Sequence, residues 1–178
     1  MTFVVKTVSF SQEKLPINTK TSTIKWIGEL VFYFRGHDGY INFKEGFFIK
    51  TNDKITGGEF VIDMNSMTNS DIKEQEGKDG LIEHLKDPDF FDVKKYPLAK
   101  LVIRKVNYTN ANDVHIEADL TIKEITKPMR FDAIFDYKKK EMNAKFKINR
   151  RDWNVNYTNK MKNGAISDGI GFEVSVKL

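Results

Sequence analysis

Ile116-Glu117-Ala118-Asp119-Leu120-Thr121-Ile122-Lys123 places an apolar residue at every second position and a polar one between each pair. That period of two belongs to a half-buried β-strand, because successive side chains of a strand point to opposite faces of its sheet. A helix would need apolar residues at three- and four-residue intervals, which this stretch lacks. One wet face and one dry face is the pattern of an antiparallel sheet.

Working outward, the same period returns. Phe131, Ala133, Phe135 and Tyr137 alternate with Arg130, Asp132 and Asp136, with Ile134 out of phase. Ala144, Phe146 and Ile148 form a further run, and Ile170, Phe172, Val174, Val176 and Leu178 close the chain. Upstream, Leu101 and Ile103 follow Pro97, and Phe60, Ile62 and Met64 follow a Gly57-Gly58 pair that reads as a bulge. Ile41, Phe43, Phe47 and Ile49 share one face despite Glu45, and Trp26, Gly28, Leu30, Phe32 and Phe34 share another. Turn residues separate the runs at 35–39, 51–54, 110–113, 124–128 and 138–140. The count is about eight strands of roughly ten residues, which predicts an all-β fold with an antiparallel barrel. Eight strands close around a space just wide enough for one slender ligand. At ten residues a strand is about 33 Å long, so the interior is expected to be a tube.

Two segments interrupt the alternation. Residues 65–97 are expected to insert short helical segments, around 70–96. Leu81, Ile82 and Leu85 stand at helical spacing, and Asp87-Pro88 offers a cap and first-turn pair for a second helix. On such a helix Phe90 and Phe91 would point about 100° apart. One is then expected to plug the barrel and the other to anchor against its wall. Residues 151–167 form the second long connection, and loops of this length in one domain usually serve as lids or binding segments.

Composition narrows the function. Residues 1–178 read as a single domain with a sizeable core. Phe is in excess, at 14 against 2 Trp and 6 Tyr. Phe has no polar tip, so the excess asks for a dry interior or an apolar cavity. The absence of cysteine removes disulfides, thiolate nucleophiles and Cys-based zinc sites. No apolar run approaches the roughly 20 residues of a membrane-spanning helix. Residues 1–20 read as a first strand or loose arm, or, from the small-x-small Ser9-Phe10-Ser11, as the remnant of an export signal.

Catalytic signals are missing. His37, His84 and His115 are far apart in sequence, and no GxSxG, HExxH or phosphate-loop pattern occurs. No catalytic or metal-ligating residue is assigned. The net charge of +4 is modest. Most aromatics lie on the dry phase, out of phase with Lys and Arg, which speaks against a nucleic-acid surface. Lys138-Lys139-Lys140 is a basic hairpin tip: a solvated turn, or a transient contact for an anionic membrane surface.

The positive signal is the dry face. It predicts a lining of Phe32, Phe34, Phe60, Ile62, Leu101, Ile103, Leu120, Ile122, Phe131, Phe135, Phe146, Ile148, Phe172 and Val174, with Phe90 and Phe91 at its end. From the residues alone a solid core and a ligand cavity stand equal. Arg150 falls on the same dry phase, so it needs a partner. Asp63 and Asp168 are the candidates for a structural pair, with contact to a ligand head group as the alternative.

The residues also carry a resemblance. Trp26-x-Gly28, His37-x-Gly39-x-Ile41, Gly57-Gly58 and Ile62-Asp63-Met64-x-Ser66 lead into His84-Leu85, Asp89-Phe90-Phe91-Asp92 and Tyr96-Pro97. Ala118 to Lys123, Ile125-Thr126, Arg150-x-x-Trp153 and Asp168 follow. From about Thr23 onward this pattern resembles the YceI-like family, described as polyisoprenoid-binding proteins with a lipocalin-like barrel. Asp119, where that family often has glycine, and Arg151 depart from it. The resemblance implies binding, storage or transport of a long isoprenoid, ubiquinone-like, or a similar amphiphilic lipid. It implies no cofactor beyond that lipid, no enzymatic role, a periplasmic or secreted location, and homodimerisation. The alternatives are an enzyme acting on a lipid or its head group, and an interaction or stress-response module with a solid barrel.

Overall fold

The computed structural model describes residues 12–30, 36–157 and 166–178. Its strands are β1 (Gln12–Pro16), β2 (Thr23–Leu30), β3 (Asp38–Thr51), β4 (Lys54–Asp63), β5 (Leu98–Tyr108), β6 (Asp113–Ile122), β7 (Ile125–Asp136), β8 (Glu141–Asn149) and β9 (Ile166–Lys177). A single α-helix among the described residues, α1 (Gln75–Lys86), lies between β4 and β5.

The strands pair antiparallel in the order β3-β2-β9-β8-β7-β6-β5-β4, and β4 pairs back onto β3. The sheet is therefore a closed eight-strand barrel, with its shortest seam between β7 and β8, which pair only over residues 133–136 and 141–144. β1 is the extra strand. It pairs with residues 47–51 of β3, while β2 pairs with residues 38–41. β1 and β2 run in the same direction, so β1 extends the β2 stave beyond a break at 17–22.

The two ends differ. Short turns at 51–54, 109–112 and 137–140 close one end. The β4–β5 connection with α1, and the β8–β9 connection, close the other.

Four expectations change in detail. The turn placed at 124–128 is only Lys123-Glu124, both left-handed at φ 49° and 61°. β7 begins at Ile125 and carries Pro128 within it, paired to Asp119. The missing proline N–H is tolerated because β8 pairs with β7 only over residues 133–136. The second helix after Asp87-Pro88 does not form. Asp87 is the C-cap of α1, and residues beyond it fold as turns in which the Phe90 and Asp92 N–H groups both donate to the Asp87 carbonyl.

In β3 the alternation breaks at Lys44, where a bulge separates the Phe43–Ile62 and Glu45–Val61 pairs. One extra residue exchanges the faces. Phe48 is therefore the buried residue, 1% exposed, and not Phe47 or Ile49. Phe47 instead lies under the Lys14 ammonium of β1. The bulge expected at Gly57-Gly58 falls one residue earlier, at Thr56.

The hairpin end is packed solid. Phe48 meets Phe60 and Phe135 edge-on, at centroid distances of 5.0 and 5.4 Å. The Tyr108 and Tyr137 hydroxyls bond to each other above Ile55, whose N–H donates to Tyr108 Oη at 3.0 Å. Burial, with the Tyr137 hydroxyl next, pushes the Tyr108 phenol far above its ordinary value, so it stays a neutral latch.

Candidate functional site: a capped apolar cavity

Between that floor and α1 the barrel is hollow. The cavity measures about 220 Å³, and its lining is almost wholly apolar. The expected tube is thus half of one: the α1 end is open space and the hairpin end is core.

Of the expected lining, Phe60, Ile62, Leu101, Ile103, Leu120, Ile122, Phe131, Phe146, Ile148, Phe172 and Val174 face this cavity, as do Phe90 and Phe91. Phe135 does not, because it belongs to the packed floor. Phe32 and Phe34 lie outside the described residues. Phe131, Phe146 and Phe172 form a continuous aromatic wall, with centroids 4.8 and 5.5 Å apart.

The cap is held by polar ties. The Trp26 indole N–H donates to the Thr68 carbonyl at 3.1 Å, pinning the segment after β4 over the barrel. Gly39 makes this approach possible: a Cβ there would stand 1.8 Å from the Thr68 carbonyl oxygen. The Lys123 ammonium donates to the Phe90 carbonyl at 3.0 Å and the Asn154 carbonyl at 3.3 Å. The Trp153 indole N–H donates to the Leu120 carbonyl at 3.1 Å. One lysine and one tryptophan therefore fasten both long connections to the β6 end.

Phe90 and Phe91 do not divide their roles as expected. Both line the cavity, with ring centroids 5.2 Å apart. Without the helix, the 100° separation does not apply. Phe90 is also the centre of an aromatic cluster, at 5.7 Å from His84 and 5.8 Å from Tyr157.

Arg150 is 2% exposed and lines the cavity. Its Nε donates to the Ser167 carbonyl at 3.2 Å, Nη1 to the Val155 carbonyl, and Nη2 reaches Asp168 Oδ1 at 3.2 Å. Asp168 is thus its acidic partner, shared with Arg151 at 2.7 Å. Asp63 instead caps the one-turn 3-10 helix at Met64–Ser66 by accepting from the Asn65 N–H. Burial lowers the Arg150 pKa, and the carboxylate opposes that shift. Arginine remains charged regardless.

The histidines are partly gathered. His37 and His84 both line the cavity. His37 Nδ1 lies 2.9 Å from Asp71. His84 brings a ring nitrogen within 4.8 Å of carboxylate oxygens of Asp87 and Asp89, although both aspartates are exposed. His115 pairs with Asp132 on the outer wall. Sequence reasoning left out Trp26, Met64, Met67, Leu81 and Leu85 from the lining. Trp26 was visible on the dry phase. Met67 sits in a connection, where no periodicity marks it.

The chain matches the YceI-like domain over residues 7–178. It belongs to the YceI-like family. Its lipocalin-like barrel is the fold expected from the resemblance. A UPF0312 protein of Pseudomonas putida strain W619 is 32% identical over 103 residues, 53% of this chain and 51% of that protein. A UPF0312 protein of Pseudomonas savastanoi pv. phaseolicola is 39% identical over 54 residues, 30% of this chain and 28% of that protein. The matched stretches span about half or less of these curated relatives. Among solved structures, Burkholderia cenocepacia BcnA superposes with a TM-score of 0.74 at 16% identity, covering 90% of this chain and 98% of BcnA. A mutant Campylobacter jejuni YCEI protein gives a TM-score of 0.50 at 18% identity, over 99% and 92% of the two chains. At these identities the two structures speak for the YceI-like fold alone.

Proposed function

We propose that this YceI-like barrel binds, stores or carries a long-chain isoprenoid or similar amphiphilic lipid, with the apolar tail in the cavity. The observation that carries the reading is the hollow itself. Protein interiors pack at crystal density, and an unfilled apolar void costs stability. A hydrocarbon tail would recover that cost, at about 0.8 kcal/mol for each CH₂ it buries. The cavity of about 220 Å³ is smaller than sites for drug-sized molecules, which run from about 300 Å³. It suits one slender chain better than a bulky ring system.

The solid floor implies an orientation in which the tail end lies against Phe60 and Ile103 and the polar end lies under the cap. The basic hairpin tip at Lys138–Lys140 stands at the opposite end, so a membrane contact there would leave the cap facing away from the bilayer. Solvent extraction of the purified chain followed by mass spectrometry tests the reading. An isoprenoid-type lipid at near-stoichiometric amount supports it. Protein that carries no lipid and takes up no added isoprenoid refutes it.

One observation favours a catalytic alternative: His37, a cavity residue, is hydrogen-bonded to Asp71. Release of altered lipid on prolonged incubation, abolished by His37→Ala, would establish that alternative. Unchanged lipid recovered after incubation would remove it.

A further inference from the structure

The polar side chains that line the cavity are not scattered. Among the described residues they are His37, His84, Arg150 and Ser167, and all four belong to the α1 end. Among the described residues the opposite end of the same cavity is lined by apolar side chains. The site is therefore graded from a dry floor to a hydrogen-bonding rim.

Arg150 dominates that rim. A guanidinium has five N–H donors and no acceptor. Two of the five are hydrogen-bonded, to the Ser167 and Val155 carbonyls, while Nη2 faces Asp168 Oδ1 at 3.2 Å as an ion pair, an oxygen that accepts no hydrogen bond among the described residues. Those contacts account for a structural role, since they tie the end of β8 to its following connection and to the start of β9. Three donors, one on Nη1 and both on Nη2, have no hydrogen-bond acceptor among the described residues. They belong to a side chain that is 2% exposed and faces an apolar space, with its guanidinium carbon 5.8 Å from the Phe90 ring. Buried donors to this degree are normally satisfied, and a charged one left unmatched is costly.

We infer that Arg150 is the head-group reader of the cavity, and that its unmatched terminal donors take an oxygen acceptor, carbonyl or carboxylate, at the polar end of the bound chain. The inference rests on the lipid-binding reading above and adds the chemistry of the head. A tail alone fills the hollow but leaves the guanidinium short of partners. A tail ending in a carbonyl or carboxylate oxygen satisfies both ends at once. Acceptor geometry then selects among ligands of equal length, and Ser167 and His84 border the same space. A charged donor to such an oxygen corresponds to about 10- to 100-fold in affinity.

The test compares three isoprenoids of closely matched chain on lipid-stripped full-length protein: a geranylgeranyl hydrocarbon, the ketone geranylgeranylacetone, and geranylgeranoic acid. The expected result is that ketone and acid bind about 10- to 100-fold more tightly than the hydrocarbon. In Arg150→Met, which keeps the apolar stem, the preference should collapse to about twofold or less. Should that variant fail to fold, the infrared carbonyl band of the ketone bound to the unaltered chain decides instead. A band shifted to lower frequency than in hydrocarbon solvent supports the contact. Equal binding of ketone and hydrocarbon, or an unshifted band, overturns the inference while leaving lipid binding intact. Failure of all three to bind overturns the lipid-binding reading itself.

Discussion

Phe48 and Phe146 are the same residue type on the inner wall of one barrel, and their truncation should cost very different amounts. Phe48 is 1% exposed and is wedged between Phe60 and Phe135 at 5.0 and 5.4 Å. Its surroundings cannot close over the hole that Phe48→Ala would leave, so the full core penalty of about 3–5 kcal/mol applies. Phe146 touches Phe131 and Phe172 on the wall but faces the hollow on its remaining side. Atoms beside empty space have already forfeited part of their dispersion contacts. Phe146→Ala widens an existing void and should cost about half as much, roughly 1.5–2.5 kcal/mol. For a domain of this size each kcal/mol moves Tm by about 2–4 °C. The expected losses are then about 6–20 °C for Phe48→Ala and about 3–10 °C for Phe146→Ala. Differential scanning calorimetry of lipid-free protein, with urea unfolding as a second probe, measures both. Equal losses would refute the division into floor and hollow, because they would mean that Phe146 is as tightly packed as Phe48. Added ligand should raise Tm in the Phe48→Ala variant as in the unaltered chain, since binding to the native state stabilises by mass action.

Gly39→Ala should detach the cap. The new methyl would meet the Thr68 carbonyl oxygen and carbon at 1.8 and 2.7 Å, and backbone cannot yield as a side chain can. A loss of about 1–3 kcal/mol is expected, with a change in tryptophan fluorescence as Trp26 loses its bond to Thr68. Trp153→Phe keeps the ring but leaves the Leu120 carbonyl without its donor in a buried place. Urea unfolding should show a loss of about 1–3 kcal/mol. Acid should loosen the same cap. Burial pushes the Asp71 carboxyl up, but hydrogen bonds from His37, the Asp38 N–H and Asn69 outweigh it and hold it below its ordinary value. A depressed carboxylate contributes stability that is present above its unfolded pKa of about 3.9 and is lost as pH falls through the lower folded value. Stability should therefore drop below about pH 4, and Asp71→Asn should be less stable at neutral pH with a shallower acid decline.

The period-two runs were enough to establish strands, their approximate number and most inward faces, because alternation is a local property of a strand packed on one side. Eleven of the wall residues named from phase alone do face the cavity, together with Phe90 and Phe91. The misses have local causes that the chain does not advertise. Lys44 carries a bulge with no glycine to mark it, so Phe48 displaced Phe47 and Ile49 from the core. Lys123 and Glu124 adopt left-handed turn conformations without the asparagine or glycine that usually signals them. Arg150 was legible as a buried charge in need of a partner, but not which carboxylate would meet it.

What the sequence determined by itself was the class: an antiparallel barrel with a dry, phenylalanine-rich interior, an inserted helical segment and the motifs of the YceI-like family. Phase alone does not say whether facing side chains meet. That depends on how far apart the walls stand and where the connections fold back. Only the tertiary structure decided that Phe48, Phe60 and Phe135 meet across the axis, while Phe131, Phe146 and Phe172 line an empty space under the α1 cap. The same side-chain chemistry thus yields a solid floor at one end and a binding cavity at the other, because contact distance across the barrel is a property of closure and not of alternation.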